Sequence, residues 1–243
     1  MEMSLNRLVY DLIELYRSNY KVTDSLDERN FAVWIQDTRA TLIKQRMDKP
    51  MVLPDEVWVQ DLGAVEMEPV DSSVYGVSGK YLLRSKLEIP STIHYRGVPG
   101  GFTRLAPADR LNSNFRIVTQ ERALDSGNGK FNANQIYAFM DGDYIVLLSK
   151  SNIHKQIQYI HVKGLFNNPI AAYEFKEGID YDWSEPYPIS NSLVGDMKKM
   201  IISENFQFVV VPMDDKKPNS MDNIANPVPE NESEVQNPTR RAR

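Results

Sequence analysis

The sequence predicts an α+β fold: an N-terminal helical pair, a largely antiparallel β domain, a late C-terminal helix and an extended C-terminal arm. Three observations carry that prediction. Apolar residues recur at helical spacing up to Pro50. After Pro50 and Pro54 the period changes to two, as expected where helices give way to strands. From Met213 onward the composition collapses into Asp, Asn, Pro, Glu and Lys. Alone in solution, such a tail buries too little apolar surface to offset its ordering entropy. These breaks divide the chain into a helical pair (residues 1–49), a mainly antiparallel β domain (50–189), a helix plus short strand packing back on the core (190–212), and an arm (213–243).

The most legible helix is SLDERNFAVWIQDTRATLIKQRMDK, residues 25–49. Ser25 and Glu28 have the spacing of a capping box. Phe31, Trp34, Ile35, Thr38 and Leu42 form one apolar stripe, while Val33, Ala40, Ile43 and Met47 lie partly off it, so a second face is a candidate for coverage. Asp24 and Asp27 suit the positive end of the helix dipole, Lys44, Arg46 and Lys49 the opposite end, and Pro50 stops the helix. Before it, Ser4 can cap a helix striped by Leu5, Leu8, Val9, Leu12, Ile13, Leu15 and Tyr16. The short linker, residues 19–24, favours packing of the two as an αα pair. The alternative is that the first stripe faces a neighbouring subunit.

Val65 and Met67 alternate with Glu66 and Glu68 as in a half-buried strand; Val57, Trp58 and Val59 are expected to begin the same element, broken near Gly63. Further strands are expected at residues 80–89 and 115–119, with a turn or excursion at 96–101. The clearest β signal joins residues 136–140 and 143–149 through Asp141-Gly142, which favours a type I′ hairpin. Residues 156–163 follow at the spacing of a third strand, completing a meander, and Asn167-Asn168-Pro169 closes it with turn chemistry. Ser190 or Asn191 can cap a last helix carrying Leu193, Val194, Met197, Met200 and Ile201 on one face, with Lys198 and Lys199 on the other. Residues 206–211 read as a short apolar strand.

The chain has 243 residues, ample for a sizeable core. Its net charge of −5 argues against nonspecific nucleic-acid binding by the whole surface. It contains no cysteine, which excludes disulfides, Cys-ligated zinc, iron–sulfur clusters and thiol nucleophiles. The opening MEMSLNRLVYDLIELYR has neither a basic start nor an uninterrupted apolar run, so no signal peptide is expected. No stretch approaches the roughly 20 apolar residues that a membrane span requires.

No catalytic constellation emerges. His94, His154 and His161 match no zinc spacing. Gly76-Val77-Ser78-Gly79-Lys80-Tyr81 has the wrong glycine spacing for a phosphate loop, with Tyr81 where magnesium needs Ser or Thr. Gly127-Asn128-Gly129-Lys130 reads as a plain loop. Asp180, Asp182 and Ser184 open like a calcium loop but lack its glycine and its bidentate Glu. Asp141 and Asp143 flank a hairpin tip, which is turn chemistry. The expectation is a non-enzyme with no metal and no cofactor.

Several segments in order resemble a structural protein family of crAss-like phages, the short-tailed phages that infect Bacteroides. They are Trp34-Ile35, Arg39-Ala40 and Leu42-Ile43-Lys44, then Val59-Gln60-Asp61-Leu62-Gly63 with Val65, Glu66, Glu68 and Val70-Asp71. Pro107, Asp109 and Glu121-Arg122-Ala123 follow, then Gly127-Asn128-Gly129, Phe131-Asn132, Ile136-Tyr137-Ala138-Phe139 and Asp143-Tyr144-Ile145. The resemblance spans roughly residues 5 to 212. It implies a ring protein of the portal vertex, part of the head-to-tail connector. Implied partners are copies of itself in a cyclic homo-oligomer, a dodecamer by the family pattern, the portal or adjacent ring and tail proteins, and double-stranded DNA as passing cargo, with no membrane. Val74 and Tyr75 stand where relatives often carry cysteines, so no metal or redox role carries over.

The arm is the expected contact to an adjacent subunit or stacked ring, through Met213, Pro218, Pro227, Pro229, Pro238, Arg240, Arg241 and Arg243. The competing readings are another tail or head-completion component and a DNA-binding packaging or regulatory protein.

Overall fold

The helical periodicity of the N-terminus is satisfied within the chain. In the computed structural model, which describes residues 3–20, 27–77, 79–95, 99–109, 114–125, 134–150 and 156–206, α1 (Leu5–Tyr20) and α2 (Glu28–Met47) pack side by side. Leu5, Leu8, Val9, Leu12 and Tyr16 are almost fully buried in a cluster shared with α2 and with the late helix α5 (Asn191–Ile201). The α1 stripe is therefore core and not a surface for a neighbour. α2 buries Phe31, Ile35, Thr38 and Leu42 as expected, and also Ala32, Arg39, Ile43 and Met47, because it lies between the other helices and the sheet.

The start of α2 differs from the expected capping box. Asp27 is the N-cap, its carboxylate accepting from the Arg29 N–H at 3.2 Å. An ionised acceptor at the positive end of the dipole suits this position. Glu28 becomes the first helical residue and is too early in the helix to reach back as a capping box requires. Ser25 lies outside the described residues.

Seven strands form one sheet in the order β3-β7-β1-β2-β6-β5-β4. They are β1 (Gln60–Val70), β2 (Tyr81–Ser85), β3 (Phe102–Pro107), β4 (Arg116–Ile117), β5 (Tyr137–Asp141), β6 (Tyr144–Ser149) and β7 (Tyr159–Gly164). Only β4 and β5 run parallel. β1 joins the two halves: residues 60–66 pair with β7 and residues 67–70 with β2. The sheet curls until its edges meet, the Phe115 N–H ahead of β4 donating to the Leu105 carbonyl of β3 at 2.8 Å. Leu83, Leu105, Phe115, Ile145, Leu147, Ile160 and Val162 fill the interior of this barrel-like wall. On its outer side Tyr137, Phe139, Val146 and Leu148 pack with Ala123 of α3 (Gln120–Asp125).

Several strand expectations are corrected. β1 begins at Gln60; residues 56–58 are turn, because Trp58 is drawn into the helical cluster instead. Gly63 bulges the strand without ending it: at φ 73 it shifts the β1–β7 register. This phase change puts Leu62 and Val65, three apart, in the same core. The strand expected over 80–89 spans only 81–85, and that over 115–119 only 116–117. The hairpin is present, but Asp141 pairs with Tyr144, so Gly142 and Asp143 form the turn. Only Gly142 has positive φ, at 58, which fits the first central position of a type II′ turn and not type I′.

The expected meander is not formed. β6 pairs with β2, and β7 inserts between β1 and β3, burying Ile160 and Val162 completely. Asn167-Asn168-Pro169 opens a helix, α4 (Pro169–Glu177), whose N-cap Asn168 accepts from the Ile170 and Ala171 N–H groups. The late helix buries Leu193, Val194, Met197 and Ile201 as expected, and Lys198 reaches Asp11 of α1 at 2.7 Å. Phe206, expected to start a strand, closes a helical turn, Ile202–Phe206, and is buried edge-on to Tyr16 at 5.0 Å between centroids. Residues 207–211 lie outside the described residues.

Arg39 joins helices to sheet. It is fully buried, and its guanidinium donates to three carbonyls: Pro188 at 2.7 Å, Phe166 at 3.0 Å and Trp58 at 3.4 Å. The Tyr187 ring lies 5.9 Å from its centre. Burial lowers its pKa, but a guanidinium starts so high that it stays charged. Replacing it should leave three buried acceptors unsatisfied, each costing about 1–3 kcal/mol. Arg39→Met is therefore expected to lower unfolding stability by about 3 kcal/mol or more, read from urea midpoints. Arg39→Lys should recover only part of this, since one ammonium cannot span a planar fork's three partners. A midpoint unchanged in Arg39→Met would contradict this role.

Candidate assembly surfaces

Several of the groups that the sequence offered for chemistry, His161, Lys80, Asp141 and Asp182 among them, are engaged in local bonds of the fold. His161 lies 3.1 Å from Asp61, which also pairs with Lys163 at 3.3 Å on the neighbouring strand. His94 lines a recess beside Phe102 and Phe139, and His154 lies outside the described residues. Among the described residues, no group of three or more His, Asp or Glu is placed to hold a metal ion.

Gly76 caps a 3₁₀ turn at residues 72–75. Lys80 is buried, its ammonium donating to the Leu124 carbonyl of α3. Burial, then the nearby charge of Lys150, lowers its pKa. The lysine of the would-be phosphate loop is thus a clip between sheet and helix. Asp182 accepts from the Ser184 N–H at 3.0 Å and from its hydroxyl, bonds that hold its carboxyl below the ordinary range. That is a local turn with both oxygens in use. Asp141 accepts from the Tyr75 hydroxyl at 2.7 Å, and Gly127-Asn128-Gly129-Lys130 lies outside the described residues. The arm residues Met213, Pro218, Pro227, Pro229, Pro238, Arg240, Arg241 and Arg243 also lie outside them.

The surface itself is more informative. The loop joining α2 to β1 presents Met51 and Leu53 fully or nearly so to solvent, at 103% and 84% exposure. Prolines 50 and 54 bracket it. The loop borders a cavity of about 700 Å³ that also touches Tyr95, Phe102 and Thr103. A second cavity, about 500 Å³, lies where β3 ends and β7 begins, lined by Pro107, Phe115, Ile136 and Ile157 with a rim of Asn and Gln and the charged Asp109 and Arg116. The sequence contained both apolar segments, but which side chains stay uncovered depends on contacts between distant elements.

Among the described residues, no helix is long and apolar enough to cross a membrane. Comparison with protein families gives one description. Residues 7–224 match the model of the family CrAss_Ring_2, described as phage tail ring protein 2. The match includes every described helix and strand from β1 to α5, and it ends inside the arm. No curated protein matches the chain.

The tyrosines supply a pH test. Burial first, then the bond to Asp141 and its charge, pushes the Tyr75 phenol up to about 12. Burial and the charges of Glu185 and Asp182 push Tyr181 up to about 12. The folded state therefore holds these protons more tightly than the unfolded chain, whose phenols titrate near 10. Their contribution is complete below about pH 10 and is lost as pH rises through about 12. Urea midpoints should fall across that window, and Tyr75→Phe should make the fall shallower. Because Tyr75 is partly exposed, the change should be modest. An equal slope in the variant would assign the alkaline loss elsewhere.

Proposed function

The chain belongs to the phage tail ring protein 2 family, and from that premise we propose that it builds an oligomeric ring of the head-to-tail connector, in the neck below the portal, through which the genome passes. The carrying observation is the family match over residues 7–224. The role is structural and not enzymatic, and the chain works in the virion after assembly in the host cytoplasm. Its partners are copies of itself in a closed ring, probed first for twelvefold order, and the portal or the ring and tail proteins stacked against it. Double-stranded DNA is cargo. A net charge of −5 supports passage without grip, since firm binding needs many basic contacts to phosphate.

The arm supports the same reading. The described residues end at Phe206, in the crease shared by Tyr16, Phe31 and Trp34. The arm expected over residues 213–243 could span on the order of 100 Å if fully extended, enough to reach a neighbouring copy or the next ring. Its cationic end, Arg240, Arg241 and Arg243, suits an acidic receiving surface.

Native mass spectrometry with negative-stain imaging should give a closed ring, and labelling of purified virions should place it between portal and tail. A stable monomer absent from virions would overturn the proposal. A chain ending at residue 212 should keep its circular dichroism and lose assembly strength; undiminished rings from it would remove the arm from the interface.

A further inference from the structure

We propose that the loop of residues 50–54 is a docking knob that seats in the β3–β7 end recess of a second copy of this chain. The inference rests on the ring reading above and names the contact that would build the ring.

The loop has the properties of a preformed contact. Met51, at φ 63, is the one non-glycine with positive φ among the described residues. A side-chain-bearing residue pays steric strain there, and such strain persists where surrounding structure or a partner compensates it. Within its own chain the Met51 side chain is wholly exposed, and Leu53 nearly so, so burial in this copy offsets none of the strain. Pro50 and Pro54 restrict the backbone on both sides, leaving little conformational freedom to lose on docking.

The recess is the complementary feature. At about 500 Å³ it falls within the roughly 300–1,000 Å³ of sites that enclose small groups. Its apolar floor, Phe115, Ile136 and Ile157, is ringed by Asn134, Gln135 and Gln158 and by the opposite charges of Asp109 and Arg116, the apolar centre and polar rim of a protein interface.

Placement selects the occupant. The knob borders Phe102, at the start of β3, and the recess borders Pro107, at its end. On the paired strand these ends correspond to Gly164 and Ile160. Four residue steps on β7 separate them, roughly 14 Å along the ladder, so a knob cannot fill its own recess. Two different patches at opposite ends of β3 are what a head-to-tail interface needs, whereas a two-fold pair would join like to like.

The test uses the full chain, which has no cysteine of its own. Met51→Asp with Leu53→Asp should raise the concentration for half-assembly roughly tenfold or more and leave circular dichroism unchanged. Leu53→Cys combined with Ile157→Cys should, on oxidation, give a ladder of covalently joined copies on a denaturing gel. Either cysteine alone can give nothing beyond a dimer. The same ladder from a chain ending at residue 212 would support the loop, and not the arm, as occupant of the recess. Rings that form equally well with both aspartates, or assembled rings without a ladder, would overturn this contact and leave the ring reading standing. A wild-type chain that is monomeric in solution and absent from virion rings would overturn both.

Discussion

A buried cation with no carboxylate partner among the described residues fixes this molecule. Arg39 projects from the middle of α2 and donates to carbonyls of Trp58, Phe166 and Pro188. These carbonyls belong to the approach to β1, the segment leaving β7, and the approach to α5. Chain segments entering and leaving regular elements carry backbone acceptors that no ladder satisfies, and burying them unpaired is costly. One planar fork satisfies three at once. It thereby sets how the helical layer sits on the sheet, a relation that apolar packing alone, being non-directional, would specify less sharply.

The sheet depends on that placement. With Trp58 held in the helical cluster, β1 starts at Gln60, and the bulge at Gly63 then turns Leu62 and Val65 to one side. β7 carries no bulge of its own, but it faces one in β1 and another in β3, near Thr103. Bulges on both neighbours increase local twist and coil the wall, which brings Leu105 and Phe115 together and closes the interior. The fold is thus a rigid helical layer attached to a curled sheet, with a distinct end on each side.

Elements with local signals were legible in the sequence: the two N-terminal helices, the β5–β6 hairpin and α5. What depended on pairing between distant strands was not. β7 looked like the third strand of a meander because it follows the hairpin, yet its all-apolar interior positions, Ile160 and Val162, found partners in β1 and β3. β3 was hidden because its bulge disrupts the alternation of Phe102 and Leu105. For α4 the signal was present and misread: Asn168-Pro169 is turn chemistry, but Asn at the N-cap and Pro at the first helical position also open a helix. The burial of Arg39 and the exposure of Met51 are both tertiary facts. Helical spacing alone does not show that an arginine is buried, nor that Met51 and Leu53 stay uncovered.

The rigidity of the contacting surfaces bears on how a ring could close. A head-to-tail contact closes only when the rotation from one copy to the next divides the circle; otherwise it propagates as an open helix. That rotation must be set by surfaces whose relative orientation is fixed. The loop after α2 and the recess at the end of β3 meet this requirement, because α2 and the sheet are joined through Arg39. A tail with the composition of residues 213–243, if extended as that composition predicts, would define no such angle. It can raise the effective concentration of neighbouring copies and so strengthen a weak, well-oriented contact. In such an assembly the symmetry would come from the folded core, and the arm would contribute affinity.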